Sequence, residues 1–523
     1  MMLSLPAGAL RGSAASRQAQ GPSPSCTVSG TADRCPDWAS APYGTSNQQV
    51  VPGGNFTSEH IEQTSPDGAR VYIAGGIGEI GATTSDLFVT AFDSSTGSEL
   101  WATTVTNTSG YVSDAQALAV SAAQIFVLTG ECGCALVALD AATGKIDWQQ
   151  PLTTDLTDIV ASADGRTDVA TGYVAHGSAG VVYYSADTLA FDAATGAQLW
   201  KTESQGAPGA GWMGDAIVAF PGGTSVGAVL ASVNGAGWAT GFRLVEYDAL
   251  SGAVERTGDA PLSVQGLPFT DGAMVTPDGH DVVLVDTTIV PVAVGAFSAA
   301  DVVDTIAFSA ATAQESWSAS LNPSGDNGST AAWYMRPLAM SPDSTRVYVA
   351  ALSEHATVDT FDTAAYNIND GSQEWLAQLP ADEVGGCTCG PMVAADRTGA
   401  DVYVTDPLAV PGSLAETVAL NAGDGSLAWQ SMYATAGDWT VPRDIVVLPD
   451  SRDVVVPVEE VNIASGAYDV VLVAYPTGVT PSVDVPDLPL PPLAIAALLV
   501  AALVRRRARS AHRNDAIHVW SAT

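Results

Sequence analysis

Cysteine is the residue type in this chain best placed to do chemistry, because its six copies form three close pairs: Cys26 with Cys35, Cys132 with Cys134, and Cys387 with Cys389. An even number in local pairs points to an oxidising compartment and a disulfide framework. Cys26 with Cys35 reads as a staple near the N-terminus. The two C-x-C pairs, in "ECGCA" and "GCTCG", allow either loop-stabilising disulfides or a thiolate metal or redox site. Other candidates for chemistry are weaker. "GTSVG", 223–227, matches the G-x-S-x-G nucleophile elbow, but the elbow needs a strand before it and a helix after it, and here the β-like "AVLASV" follows. The six histidines are scattered, with no pair at metal-ligand spacing. The oxygen-rich turn "NINDGS", 367–372, suits a hard cation in type but lacks an EF-hand's full ligand pattern, so turn chemistry is the expectation.

The elements that would carry these residues are repeated hairpins. "AFDSSTGSELW" 91–101, "ALDAATGKIDW" 138–148 and "AFDAATGAQLW" 190–200 each hold a strand ending in aspartate, a turn ending in glycine, and a strand with tryptophan. Asp93, Asp140 and Asp192 can accept bonds from turn amides, while Gly97, Gly144 and Gly196 supply a positive φ without steric cost. Trp101, Trp148 and Trp200 are expected to wedge between neighbouring sheets. The pattern continues through "EYDALSGAVER" 246–256, "AFSAATAQESW" 307–317, "TFDTAAYNINDGSQEW" 360–375 and "ALNAGDGSLAW" 419–429, and ends in a truncated "VAYPTG" 473–478. Trp317, Trp375 and Trp429 belong to these copies, whereas the fourth has Arg256 in place of tryptophan and the fifth has Ser309 and Ala313 in place of aspartate and glycine.

Eight turns of the type "SPDGARVYIAGG" (65–76), each opening into a β run, alternate with the eight hairpins. Every unit therefore holds four antiparallel strands, the spacing of β-propeller blades, which bury their faces only against neighbours. The expected fold is all-β: an eight-bladed propeller over 35–478, in which the strand carrying Trp38 completes the last, truncated blade and removes an open sheet edge.

The A-x-D-x-x-T-G-x-x-x-W hairpins resemble the pyrroloquinoline-quinone-type (PQQ-like) repeat, the propeller of quinoprotein alcohol dehydrogenases and their non-enzymatic relatives. The resemblance implies the fold over most of the chain but leaves function open, because the family holds both cofactor-dependent dehydrogenases and scaffolds. The dehydrogenases carry two adjacent cysteines over the quinone, and this sequence has no Cys-Cys dipeptide and no C-x-x-C-H haem motif. The expectation is the non-enzymatic surface branch, with no cofactor. PQQ with calcium in an oxidoreductase is one alternative; an envelope protein-assembly scaffold is the other.

Composition narrows the partners. Aspartate plus glutamate number 56 against 19 lysine plus arginine, a formal charge of −37, and lysine occurs only at 145 and 201. Such a field repels phosphate backbones and excludes nucleic acid. It fits either a salt-rich habitat or the solubility of a secreted protein. The residues 1–34 read as a leader or irregular segment, with a short apolar stretch that makes either an atypical export signal or an incomplete start. Following a proline-rich linker at 479–487, Leu488–Val504 is uncharged and ends in Arg505, Arg506 and Arg507. At about 1.5 Å per residue it spans roughly 25 Å, near the thickness of a bilayer core. The arginines place the tail, 505–523, in the cytoplasm and the propeller outside. A single-pass cell-membrane protein that displays loops to protein or glycan partners is thus expected, with removal of the tail by a processing enzyme left open.

Overall fold

The computed structural model describes residues 34–43, 48–52, 61–79, 85–106, 115–130, 134–178, 181–206, 210–266, 270–288, 291–293, 296–297, 302–321, 330–331, 337–353, 360–380, 391–406, 415–433, 439–462 and 467–477. The leader, the linker, the expected membrane helix at 488–504 and the basic tail lie outside them, as do Cys26, Cys132, Cys387 and Cys389. Among the described residues no helix is long and apolar enough to cross a membrane.

Residues 34–477 form an eight-bladed propeller of four-stranded antiparallel blades, as the repeats predict. Its closure is visible in the first strand of each blade. Glu62–Thr64, Ala115–Val120, Asp155–Ala161, Ala210–Ala219, Thr270–Val275, Leu338–Met340, Met392–Ala395 and Val446–Val447 each touch the corresponding strand of the next blade, and the eighth touches the first. These eight strands line the axis of the ring.

Burial follows position within the blade. In the first blade, the third strand Asp86–Asp93 has six consecutive buried residues, Leu87–Phe92, because neighbouring blades cover both faces. The fourth strand, Glu99–Val105, alternates exposed and half-buried residues, as expected of an outer edge. Apolar clusters accordingly lie between blades: Ile125 and Leu139 of the second blade pack with Tyr72 and Val89 of the first, and Val454 and Tyr475 of the eighth pack with Tyr403 and Trp429 of the seventh.

The N-terminal strand closes the ring as expected. Trp38–Ala39 runs antiparallel to the third strand of the eighth blade, Ala467–Pro476, with Trp38 opposite Ala474. A further strand, Gln48–Pro52, was not anticipated. It pairs antiparallel with Arg70–Glu79 of the first blade and, through Gln49 and Tyr468, parallel with the eighth, so the two terminal blades share one sheet. A short hairpin, Pro291–Ala293 with Ala296–Phe297, interrupts the fifth blade and was likewise not foreseen.

The two ends of the blades differ. Turns joining first to second strands and third to fourth strands are described throughout and bond internally. Asp93 Oδ1 accepts from the Ser95 amide at 3.0 Å and from the Thr96 hydroxyl at 3.0 Å, and Asp140 and Asp192 do the same with Thr143 and Thr195. "NINDGS" behaves as ordinary turn chemistry: Asn367 Oδ1 accepts from the Asn369 amide, and Asp370 Oδ1 from the Ser372 amide and hydroxyl. Within "GTSVG", Ser225 opens the strand Ser225–Asn234 after a tight turn, so no nucleophile elbow forms. The remaining connections, second to third strand and fourth strand to next blade, emerge at the opposite end, here called the loop face.

Candidate functional site

Tryptophans and turn glycines read from the repeats meet between blades, while the aspartates bond their own turns. In six of the eight blades the indole lies on the turn glycine of the next: Trp38 on Gly97, Trp101 on Gly144, Trp148 on Gly196, Trp200 on Gly252, Trp317 on Gly371 and Trp375 on Gly425. A Cβ at Gly196, Gly252, Gly371 or Gly425 would sit 2.5–2.6 Å from an indole carbon, and φ is +67° to +72° at the six turns. Glycine is thus required twice over, for the backbone conformation and for the space. The indole Nε1 also donates to a turn carbonyl of the next blade, as from Trp148 to Ala193 at 2.9 Å and from Trp200 to Ala249 at 2.8 Å.

Trp429 has no such turn, because the eighth copy is cut short. Arg34 takes the place: its guanidinium lies 5.4 Å above the Trp429 ring and donates to the Pro476 carbonyl at 2.7 Å. Beside it, Cys35 is disulfide-bonded. Arg34 was missed because a single arginine before the Trp38 strand has no repeat to mark it.

The loop-face end of the second to fourth blades gathers the described residues most suited to contact a partner. In the third blade the second and third strands, Thr167–Ser178 and Val181–Asp192, run for twelve residues each. Their counterparts in the second blade have six each. At about 3.4 Å per residue the third blade extends roughly 20 Å further toward the loop face. Near the base of this ribbon the fourth blade presses against it backbone to backbone. A Cβ on Gly211 would meet the Tyr184 amide nitrogen at 2.7 Å, and one on Gly214 would meet that of Gly172 at 2.6 Å.

Aromatic pairs line the ribbon. His176 stands opposite Tyr183 and stacks on it with ring centroids 5.0 Å apart, while Tyr173 and Tyr184 meet edge to face at 5.8 Å. Burial, with Asp155, Tyr184 and Asp215 nearby, pushes the Tyr173 phenol up. On the adjoining strand Trp212 carries the Arg243 guanidinium 4.1 Å from its ring centroid. Asp259 holds that guanidinium with bonds of 2.5 and 2.9 Å. Cys134 reaches the same neighbourhood: its Sγ is 3.9 Å from Asp155 Oδ1, and Asp155 is paired with Tyr173. The first C-x-C pair therefore has its described member at the root of the ribbon.

Toward the axis, buried carboxylates tie neighbouring first strands together. Asp158 Oδ2 accepts from the Ile217 amide of the next blade at 2.8 Å, and Asp444 Oδ2 accepts from the Glu62 amide at 3.2 Å. Burial raises Asp158 to about 7 despite amide bonds that oppose the rise. Arg443, also on the eighth blade, donates to Glu459 through Nε at 2.6 Å. Among the described residues no three His, Cys, Asp or Glu side chains gather as metal ligands.

Residues 85–226 match the family described as outer membrane protein assembly factor BamB. No curated protein sequence matches the chain. Among solved structures, BamB from Moraxella catarrhalis is 14% identical with a TM-score of 0.45, covering 82% of this chain and 99% of its own. The quinohemoprotein alcohol dehydrogenase from Comamonas testosteroni is 14% identical with a TM-score of 0.45, covering 83% of this chain and 77% of its own. The Dos1 propeller is 11% identical with a TM-score of 0.51, covering 82% and 96%. Likeness at these identities concerns the fold, which the Dos1 propeller shares. Over residues 85–226, where the hairpins and the family match coincide, the chain is similar to the PQQ-type propeller repeat of that family.

Proposed function

We propose that this chain is a non-catalytic binding or scaffold propeller that presents its loop face to protein or glycan partners outside the cell, held at the membrane through 488–504. The observation that carries this reading is the asymmetry of the ring. Turn-face aspartates are engaged with their own turns, as Asp93 and Asp140 are. Strand length and aromatic content vary instead on the loop face, most of all in the third and fourth blades. Thr477, where the described chain ends, lies on the turn face, and the loop face is opposite. The matched family's description as an assembly factor supports the scaffold form of the reading.

The test places a photo-crosslinking residue at Ala236, in the exposed loop-face turn between Asn234 and Trp238, or at Leu250, which is 58% exposed on the turn face. Crosslinks to envelope components in the native host are expected from Ala236 and not from Leu250. Equal labelling from both faces removes the loop-face claim. Appearance of a quinone chromophore with substrate turnover, after the purified chain is given quinone and calcium, replaces the reading with an oxidoreductase.

A further inference from the structure

From Val169 to Ala186 the chain has eighteen residues without an aspartate, glutamate, lysine or arginine, within a protein of formal charge −37. That run includes the described loop-face part of the third-blade ribbon, 173–178 and 181–186. Its strands keep pairing with each other to the end, through Ser178 opposite Val181. Their outer neighbours stop sooner: the first strand ends its pairing at Asp155 opposite Tyr173, and the fourth at Ser204 opposite Ala186. Among the described residues, therefore, 174–178 pair on one side alone.

The two edges of the ribbon are not alike. On the third-strand side, Gly206 and Gly211 press against Tyr184, and the Gly206 amide donates to Ser185 Oγ at 3.4 Å. The edge along Val174–Ser178 has no described strand beside it. Exposed edges of this kind are usually blunted by lysine, proline or an inward charge. None of these occurs in 174–178, Val-Ala-His-Gly-Ser. Near the tip Val182 is 53% exposed.

The geometry points to Val174–Ser178 as the docking edge for an extended segment of another protein, added as a further strand of the ribbon, with an apolar β-forming centre and basic flanks. This deepens the binding reading above and rests on it. Strand addition supplies affinity through backbone hydrogen bonds, and alternate side chains then meet the His176–Tyr183 surface. Charge selects the occupant. A second copy would bring another −37 against this one, whereas a segment with flanking lysine or arginine is drawn to the acidic body while its uncharged centre meets an uncharged edge.

The experiment uses the purified full chain and a fluorescent nonapeptide of alternating valine and threonine with a lysine at each end. Its partner probe has the same charge with proline at two alternate central positions. Saturable binding is expected for the first peptide, with a new strand band from its isotope-labelled amides in the infrared. At least tenfold weaker binding is expected for the proline form. His176→Asp and Ala175→Pro should each weaken binding at least tenfold, while Leu250→Asp on the turn face should leave it within twofold. If Ala175→Pro does not fold, His176→Asp decides alone. Equal binding of the two peptides would mean plain ionic attraction and would overturn the proposal, as would unchanged binding by His176→Asp. A concentration-dependent dimer that His176→Asp abolishes would make a second copy the occupant and overturn it too. Crosslinking from Ala236 reads the wider function independently: partners retained there while the peptide fails leave the loop-face reading intact and remove the edge.

Discussion

The six-membered ring of Trp38 lies against Gly97, so the first described strand, built into the eighth blade, is locked onto a turn of the first blade. The contact repeats the one between Trp148 and Gly196, with the difference that Trp38 reaches Gly97 from a blade whose other strands, such as the one with Ala474, come from the far end of the propeller sequence. Trp38→Ala should cost about 3 kcal/mol by removing apolar area and leaving a gap. Gly97→Ala should cost about 1–3 kcal/mol, from strain at φ +67° and from overlap with the indole. The double variant should be less destabilised than the sum, because without the indole the added methyl has room. Denaturant unfolding of the four proteins checks this; strict additivity would mean that the two residues do not share the closure.

Much of this architecture was legible beforehand because the same physical demand recurs at each blade. An indole needs a glycine to lie on, and a tight turn needs an aspartate to satisfy its amides, so the motif is repeated and can be counted. Features met once are not legible that way. Arg34 over Trp429 compensates for a turn that is missing, and neither residue alone predicts the other. Asp168 sits where other blades have valine, as at Val71 and Val226, yet aspartate is so common beside turns that its burial could not be read. The ribbon did leave a signal, the charge-free run from Val169 to Ala186, but repeat counting looks for sameness and passes over it.

Arg256 and Ala313, two departures from the motif in different copies, turn out to be two sides of one seam. The fourth blade lacks its tryptophan, and the turn that would have received it, in the fifth, has Ala313 in place of glycine at φ 56°. The Ala313 carbonyl now approaches Gly258, where a Cβ would overlap it, and Gln314 Nε2 donates to the Thr257 carbonyl at 3.3 Å. Arg256 turns instead to Glu246, whose carboxylate is 2% exposed. Arg256→Ala should therefore destabilise by about 3 kcal/mol by leaving a buried charge unpaired. Adding Glu246→Gln should recover most of the loss at neutral pH. Ala313→Gly should raise stability by up to about 1 kcal/mol through relief of the positive φ. A Glu246→Gln change that gives no rescue would show that the Arg256 stem, not its charge, holds the seam.

Three buried carboxyls give stability a definite slope with pH. Burial, with the Asp192 charge adding to it, raises Asp168 to about 8, and neither of its oxygens has a hydrogen-bond partner among the described residues. Asp158 stands at about 7 and Asp453 at about 6, the latter through burial with Asp37 adding and Arg452 opposing. Each folded value lies above the unfolded one, near 3.9, so the folded state holds these protons more tightly. Stability should thus be greatest on the acid side and fall as pH rises from about 4 to about 8. Turn aspartates such as Asp67 and Asp140 shift downward, chiefly through side-chain bonds from Ser65 and Thr143, so their contribution is lost only as pH drops below about 4. Asp168→Asn should raise stability at pH 8 by about 2 kcal/mol or more and change it little at pH 4.5. A variant equally affected at both pH values would exclude titration of Asp168 as the source.

Salt provides the last expectation. With 56 acidic against 19 basic side chains, the compact state concentrates negative charge that the unfolded chain spreads out. Few described cations offset it. Lys201 is engaged with Asp187 at 2.5 Å, and Lys145 lies 4.0 Å from Asp147. Screening shortens from about 30 Å at 0.01 M salt to about 3 Å at 1 M, so added salt should relieve repulsion across the surface. The midpoint of thermal unfolding at pH 7 should climb steeply up to roughly 0.3 M potassium chloride and more gently beyond, once the screening length is down to about the spacing of neighbouring charges. Repeating the series near pH 4 separates the causes: the exposed carboxylates approach half protonation there, fewer charges repel, and the salt response should shrink. A midpoint unmoved by salt at pH 7, or a response just as large near pH 4, would mean that self-repulsion does not limit this ring.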